Sequence, residues 1–184
     1  MTDAVLASPR TSITTRRLAN LTIEVATGVG TGPTHIAAFD GALREAGVHN
    51  YNLIRLSSVV PPGSDIQPLP GAAKPTGDWG DRLYVVYAAQ YASEPGEEAW
   101  AGIGWVQQDQ TRKGMFVEHE GPTEAFVRTS IDASLESLVA GRAPEQFGPV
   151  RSLVRGASST GEHTCALVVA VFESASWGKV IDLN

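Results

Sequence analysis

The sequence predicts an α+β fold, a sandwich in which helices pack on β-sheets. Two observations lead to this fold class: segments with strand patterns outnumber segments with helix patterns, and each of the two predicted helices is long enough to cover a sheet. The 184 residues have the length of one domain. Apolar residues make up 42% of the chain, enough for a core, while 18% charged residues are too few for a disordered chain.

The N-terminal part combines a polar arm, a strand and a helix. We expect residues 1–17 to form the arm and residues 18–184 to form one domain. Alternating apolar residues predict a half-buried strand over 18–29. The glycines at its end match neither of the glycine motifs that bind phosphate, so we interpret them as a plain loop. A helix follows over 33–46, with Pro33 in its first position.

The remainder of the chain contains mostly strands. One is predicted over 51–60 and is ended by two prolines and a glycine. Residues 61–80 are rich in proline and glycine, which predicts a loop. Residues at helical spacing, namely Val127, Ile131, Ser134, Leu135 and Leu138, predict a second helix over 122–140, ended by Gly141. The other predicted strands cover residues 82–91, 99–107, 114–120, 150–155 and 164–173.

Charge and composition exclude several classes of function. The chain has 14 basic and 20 acidic residues, and its net charge of −6 argues against non-specific binding to nucleic acid. Cys165 is the one cysteine, so we expect no internal disulfide and interpret it as a buried thiol. The longest apolar run has eight residues, too short to span a membrane, and the N-terminus lacks the apolar segment of a signal peptide. We therefore expect a cytoplasmic protein without a membrane partner.

The strand over 51–60 carries the first candidate site residues. Alternation places Asn52 and Ser58 on a face with three apolar residues, where each polar side chain needs a partner. Ser57 and Ser58 stand just before the rigid turn that starts at Pro61. The residues alone also allow a simpler interpretation, in which the two serines only cap the end of the strand.

Asp40 is the second candidate. In the predicted helix it shares an apolar stripe with Ile36, Phe39 and Leu43, where a carboxylate is costly unless it meets a cation or hydrogen-bond donors. Arg44 lies one turn further along and could be that cation. The alternative is a carboxylate that binds a cationic ligand, and the sequence pattern leaves both interpretations open.

Glu118 is the third candidate. Alternation over 114–120 places Phe116, Glu118 and Glu120 on one face, and partial burial beside Phe116 would raise the pKa of Glu118. A carboxyl group protonated near neutral pH can act as a general acid. A solvated strand edge is the plainer alternative. The Glu-x-Glu pattern is a weak hint of metal binding that no histidine spacing supports, so we expect no metal.

The three lysines, Lys74, Lys113 and Lys179, all lie in predicted loops or turns. A pyridoxal phosphate enzyme needs a lysine on a firm scaffold to hold its cofactor. We therefore expect no pyridoxal phosphate.

Three segments, taken together, resemble the pyruvoyl-dependent arginine decarboxylases. They are Phe39–Leu43 (Phe-Asp-Gly-Ala-Leu), Asn52–Pro62 (Asn-Leu-Ile-Arg-Leu-Ser-Ser-Val-Val-Pro-Pro) and Glu118–Gly121 (Glu-His-Glu-Gly), in this order and at these spacings. The second segment is the specific one, and the resemblance covers about residues 18–175. It implies a two-sheet sandwich flanked by helices (αββα), a self-cleaving proenzyme and a trimer of cleaved protomers.

The resemblance also implies a reaction and roles for residues. The chain would break between Ser57 and Ser58 into residues 1–57 and 58–184, and Ser58 would become a covalent pyruvoyl group. This group would take the place of pyridoxal in converting L-arginine to agmatine and carbon dioxide. Glu118 would protonate the α-carbon, and Asp40 would bind the guanidinium.

Asn52 is expected to be a further catalytic residue, and its position implies a shared site. Asn52 and Ser58 lie about 20 Å apart along an extended strand, so one substrate cannot touch both within one protomer. We therefore expect an active site between subunits, with Asp40 and Asn52 on one side and the pyruvoyl group and Glu118 on the other. Two alternatives stay open: a pyruvoyl decarboxylase for another amino acid such as histidine, and an uncleaved sensor that binds arginine or agmatine.

Overall fold

The computed structural model describes residues 21–178, so the predicted arm over 1–17 lies outside the described residues. Two β-sheets stack face to face, and one helix covers each outer face. The strand orders are β2-β5-β9-β1-β4 and β3-β7-β6-β8. The elements are β1 (Thr22–Gly32), α1 (His35–Ala46), β2 (Asn52–Arg55), β3 (Val59–Val60), β4 (Asp65–Pro68), β5 (Arg82–Ala92), β6 (Glu98–Gln107), β7 (Gly114–Gly121), α2 (Glu124–Ala140), β8 (Arg151–Ser158) and β9 (His163–Ala175).

Three layers of apolar side chains hold the sandwich together. The central layer fills the space between the sheets and includes Phe116, whose ring contacts Trp105 and Phe172 edge-on. The second layer lies between α1 and the five-stranded sheet, and the third lies between α2 and the four-stranded sheet. Burial in these layers is the main term that stabilises the fold. The predicted αββα architecture is confirmed.

Both helices begin later than the sequence analysis predicts. Thr34 and Thr123 have extended backbones. The hydroxyl oxygen of each accepts a hydrogen bond from the backbone N–H group three residues later, that of Ala37 and that of Phe126. A threonine in this position satisfies one of the free N–H groups at a helix start. The prediction that Pro33 occupies the first helical position is therefore wrong.

The glycines near the end of the first strand do not form a loop. Gly28 and Gly30 lie within β1, directly under α1, and a Cβ atom at Gly30 would overlap the backbone at Ala38 and Ala42. The loop interpretation is therefore wrong, because β1 continues to Gly32. The glycines let the helix backbone approach the sheet closely, and the small residues Ala38 and Ala42 on the helix serve the same purpose.

The predicted strand over 51–60 is two strands in two different sheets. β2 pairs in parallel with β5 in the five-stranded sheet, and β3 pairs antiparallel with β7 in the four-stranded sheet. Within residues 21–178, both are edge strands of their sheets. Residues 56–58, called the crossing segment below, carry the chain from one sheet to the other. The alternation that the sequence analysis assumed over ten residues therefore ends at Arg55.

A fourth strand occupies part of the predicted loop over 61–80. β4 runs parallel to β1 at the edge of the five-stranded sheet, and Pro68 is its last residue. Proline cannot donate a backbone hydrogen bond, and an edge strand tolerates it because one side of the strand needs no partner. Proline content alone therefore predicted a loop where a short edge strand forms.

We expect Gly30→Ala to lower the free energy of unfolding by about 1–3 kcal/mol, because the added methyl group would push α1 off the sheet. Gly71→Ala is the matched control, since a Cβ there meets nothing within 4 Å. Chemical denaturation of both variants measures the effect. Equal stability of the two variants would contradict the close-packing role of Gly30.

Candidate active site

The crossing segment is anchored to both sheets. The N–H group of Leu56 donates to the carbonyl of Val85 in β5, and the carbonyl of Ser58 accepts from the N–H group of Phe116 in β7, both at 2.8 Å. One sheet therefore holds the segment at its start, and the other holds it at its end. Ser57 and Ser58 lie in this segment, between the strands β2 and β3.

Ser58 has a strained backbone. Its φ angle is 66°, in the left-handed region that side-chain-bearing residues rarely adopt. The cost is about 1–2 kcal/mol for an L-residue other than glycine, and the surrounding contacts have to offset it. Strain of this kind concentrates at functional sites, and here it falls on the residue that the sequence analysis selected.

The side chains of Ser58 and Glu118 are in direct contact. The Ser58 hydroxyl donates a hydrogen bond of 2.7 Å to Oε1 of Glu118, across 60 residues of sequence. The Glu118 side chain is only 14% exposed, and burial raises the pKa of its carboxyl group. The donated bond from Ser58 and the charge of Arg55 act in the opposite direction. The predicted rise in the pKa of Glu118 is confirmed.

The predicted alternation along β7 is also confirmed. Phe116 lies in the layer between the sheets, and Glu120 on the same face accepts a long bond of 3.4 Å from the Ala89 N–H group in β5. His119 points to the opposite side, where its Nε2 lies 2.8 Å from the Ser134 hydroxyl of α2.

Arg55 is a residue that the sequence analysis did not select. Its Nη2 lies 3.9 Å from Oε2 of Glu118 and donates a 3.0 Å hydrogen bond to the carbonyl of Tyr87. Its guanidinium carbon lies 4.9 Å from the centre of the Tyr87 ring, a cation–π contact. The sequence signal was the position of Arg55 three residues before Ser58, but strand alternation placed it on the opposite face.

Asn52 lies at the start of β2 and is exposed, so the prediction of a buried face for it is wrong. Its Nδ2 donates to the carbonyl of Gly80 at 2.5 Å, and the same carbonyl accepts from Nε1 of Trp177 at 2.7 Å. The segment 76–81 and the residues around Trp177 therefore meet at Asn52. The sequence analysis predicts residues 61–80 only as a loop and predicts no element after residue 173.

Asp40 lies on a half-exposed part of α1. Ile36 is 72% exposed, and α1 buries Ala38, Ala42, Leu43 and Ala46 instead, so the apolar stripe assumed for Asp40 is wrong at its first residue. The carboxylate of Asp40 makes a 2.6 Å ion pair with Nη2 of Arg44, and both side chains are at least half exposed. The sequence analysis gave Arg44 as one possible partner of Asp40, and this ion pair agrees with that interpretation.

The predicted site residues in the described part of the chain differ in their side-chain partners. Ser58 and Glu118 touch, whereas the side-chain bonds recorded for Asp40 and Asn52 go to Arg44 and Gly80. A hydroxyl that donates to a partly buried carboxylate is suited to nucleophilic attack, because the carboxylate can take the proton.

Three other features of residues 21–178 bear on function: the cysteine, the placement of possible metal ligands and the length and polarity of the helices. Cys165 is fully buried, and burial raises the pKa of its thiol to about 12, so it is a core residue as predicted. The described residues contain no group of three or more histidine, cysteine or acidic side chains placed to hold a metal ion. None of the described helices is long and apolar enough to cross a membrane.

Comparisons with known proteins assign the chain to a family. The family model described as pyruvoyl-dependent arginine decarboxylase matches residues 22–176. A pyruvoyl-dependent arginine decarboxylase of Halobacterium salinarum is 37% identical over 153 residues, which cover 82% of this chain and 92% of that protein. The protein of the same name from Methanocaldococcus jannaschii is 38% identical over 105 residues, which cover 54% of this chain and 58% of that protein. The one from Thermoplasma volcanium is 30% identical over 130 residues, which cover 69% of each chain. The chain belongs to the pyruvoyl-dependent arginine decarboxylase family.

Proposed function

We propose that this protein decarboxylates L-arginine to agmatine and carbon dioxide with a pyruvoyl group made from its own Ser58. Family membership supports the reaction. The observation that carries the proposal for this chain is the 2.7 Å bond from the strained Ser58 to Glu118. The relatives all carry the name of an arginine decarboxylase, so neither a histidine decarboxylase nor an uncleaved sensor is favoured.

The contact between Ser58 and Glu118 suits the first step of self-cleavage. The Ser58 hydroxyl gives its proton to Glu118, and its oxygen bonds to the carbonyl carbon of Ser57. The bond between this carbon and the Ser58 nitrogen breaks, and the nitrogen takes up a proton, so an ester replaces the amide. Because φ of Ser58 describes rotation next to that bond, breaking it releases the strain at Ser58.

The next steps break the covalent link to residues 1–57 and then release the nitrogen of residue 58. Loss of the Ser58 α-proton breaks the bond between Oγ and Cβ, so Ser57 leaves as a carboxylate and residue 58 becomes dehydroalanine. Water then replaces the nitrogen, which departs as ammonia, and a pyruvoyl group stands at residue 58. Residues 56–60 and β7 would hold the group, since they hold Ser58 now.

Glu118 has a second role in turnover. A pyruvoyl group supplies a ketone that binds the substrate amine and accepts the electrons left when carbon dioxide departs. The α-carbon then needs a proton. Burial keeps the Glu118 carboxyl group protonated to a higher pH than an exposed glutamate, so Glu118 can donate that proton.

Asp40 is suited to bind the substrate guanidinium, because it already binds one. Its ion pair with Arg44 joins a carboxylate to a guanidinium at 2.6 Å. A half-exposed pair of this kind contributes only about 0–1 kcal/mol. The guanidinium of a bound arginine could therefore take the place of Arg44 at little cost.

We infer that the protein forms a trimer with active sites between subunits, where Asp40 and Asn52 come from one protomer and Ser58 and Glu118 from its neighbour. The contacts within the protomer support this, since Asp40 and Asn52 bond elsewhere. The crossing segment also runs between two edge strands, and Val59 beside it is 62% exposed. An open edge with an exposed apolar side chain is suited to a neighbouring subunit.

The chain should cleave itself without a protease. We expect the intact mass of the purified protein to correspond to fragments of about 6 and about 14 kDa, for residues 1–57 and 58–184 at about 110 Da per residue. Ser58→Ala lacks the attacking hydroxyl and should stay whole and inactive with a normal fold. Ser57→Ala is the control and should still cleave, at least slowly. An uncut wild-type chain that decarboxylates arginine would refute the mechanism.

Glu118→Gln should slow both cleavage and turnover by about 100-fold or more, because the amide can neither take nor give the proton. Glu120→Gln is the matched control, since Glu120 lies two residues further on the same face and is exposed. The measurements are the rate of fragment formation and the rate of carbon dioxide release. Turnover at the wild-type rate would exclude Glu118 as the proton donor.

Asp40→Asn should raise the KM for arginine by about 10-fold or more, the effect of losing a charge-assisted pair, without preventing cleavage. Arg44→Gln is the control because it breaks the same ion pair but keeps the carboxylate.

Coexpression of Asp40→Asn and Glu118→Gln tests whether each active site is shared between two subunits. Random pairing would restore both intact residues at about a quarter of the interfaces. Activity no higher than that of the separate variants would argue for sites within single protomers.

A further inference from the structure

Arg55 is fixed beside the reacting groups by contacts that do not involve them. At the end of the edge strand β2, its guanidinium donates to the Tyr87 carbonyl at 3.0 Å and packs over the Tyr87 ring at 4.9 Å. Both contacts come from β5, the strand that also anchors the N–H group of Leu56. The guanidinium therefore has a defined place although its side chain is about half exposed.

From this place Arg55 acts on the carboxylate of Glu118. Its Nη2 lies 3.9 Å from Oε2, while the other oxygen, Oε1, accepts the Ser58 hydroxyl. The remaining charged or titratable groups around this carboxylate are His119 and Glu120, both from β7 itself. His119 bonds to Ser134 on the opposite face, and Glu120 carries the same charge as Glu118. Among these groups, Arg55 is the permanent cation on the reacting side.

We propose that Arg55 is a positioning residue that determines when Glu118 accepts a proton and when it donates one. The inference rests on the proposed function, in which Glu118 takes a proton during self-cleavage and gives one during turnover. A neighbouring cation favours the ionised carboxylate, which is the form that cleavage needs. Turnover needs the protonated form. Arg55 therefore extends the first reaction to lower pH and sets an upper pH limit on the second.

Neutral replacements of Arg55 test the proposal through two pH profiles. In Arg55→Gln the pKa of Glu118 should rise further, because the opposing positive charge is lost. The rate of cleavage rises with pH as Glu118 ionises, and kcat of the cleaved enzyme falls as Glu118 ionises. The rising limb of the cleavage profile and the falling limb of the kcat profile should therefore both shift to higher pH by about 0.5 to 1 unit. This range allows for the partial exposure of Arg55. Below the midpoint of its limb, cleavage should slow by about 3- to 10-fold, while kcat should persist to higher pH.

Three further variants make the result specific. Arg55→Met keeps an apolar stem against the Tyr87 ring and is the second neutral variant if Arg55→Gln folds poorly. Arg55→Lys keeps the charge and should return both limbs toward the wild-type position. Arg128→Gln removes an arginine that pairs with Glu124 on α2, so it controls for net charge and should move neither limb.

The outcomes separate this inference from the proposed function. Unchanged limbs in both neutral variants, with cleavage and decarboxylation intact, would overturn the role of Arg55 and leave the proposed function standing. A rise in KM alone, with both limbs in place, would also overturn it and would assign Arg55 to the substrate carboxylate. A wild-type chain that neither cleaves nor decarboxylates arginine would contradict the proposed function itself.

Discussion

The site depends on one hydrogen bond that spans the edge of the sandwich. Ser58 belongs to the segment that leaves the five-stranded sheet, and Glu118 belongs to β7 of the four-stranded sheet. Their contact therefore requires both sheets to be formed, stacked and correctly registered. The central layer around Phe116 meets this requirement, because it fixes β7 two residues away from Glu118. The packing of the core and the chemistry of the site are thus one constraint.

Burial and hydrogen bonding have opposite effects on Glu118, and the balance between them suits two uses. Burial favours the neutral acid, while the Ser58 hydroxyl and Arg55 favour the anion. In the proposed mechanism the Ser58 hydroxyl disappears when the pyruvoyl group forms. The largest of the influences that stabilise the anion is then lost, so the same carboxyl group changes from a base toward an acid as the proenzyme matures.

Local patterns predicted most of the fold and part of the site. Alternation along β7 placed Glu118 beside the core, and helical spacing identified Val127, Ile131 and Leu135 on α2, because these signals depend on near neighbours in sequence. The break at residues 56–58 was missed, since a run of apolar and β-branched residues has the same pattern whether it stays in one sheet or changes sheets. Arg55 was missed because the contact that holds it joins residues far apart in the sequence. Its partner Tyr87 is 32 residues away, and only the folded chain brings the two together.

The order of the strands has a consequence for the mature protein. β1 lies between β9 and β4, and β2 pairs with β5, so residues 1–57 are joined to the rest of the chain by three strand ladders. After cleavage at Ser57, these ladders would bind two polypeptides into one domain without a covalent link. Asp40 and Asn52 would then belong to the short polypeptide, and Glu118 and the group made from Ser58 to the long one. The residues proposed to recognise the substrate and those proposed to react with it would then lie on two polypeptides that share one sheet.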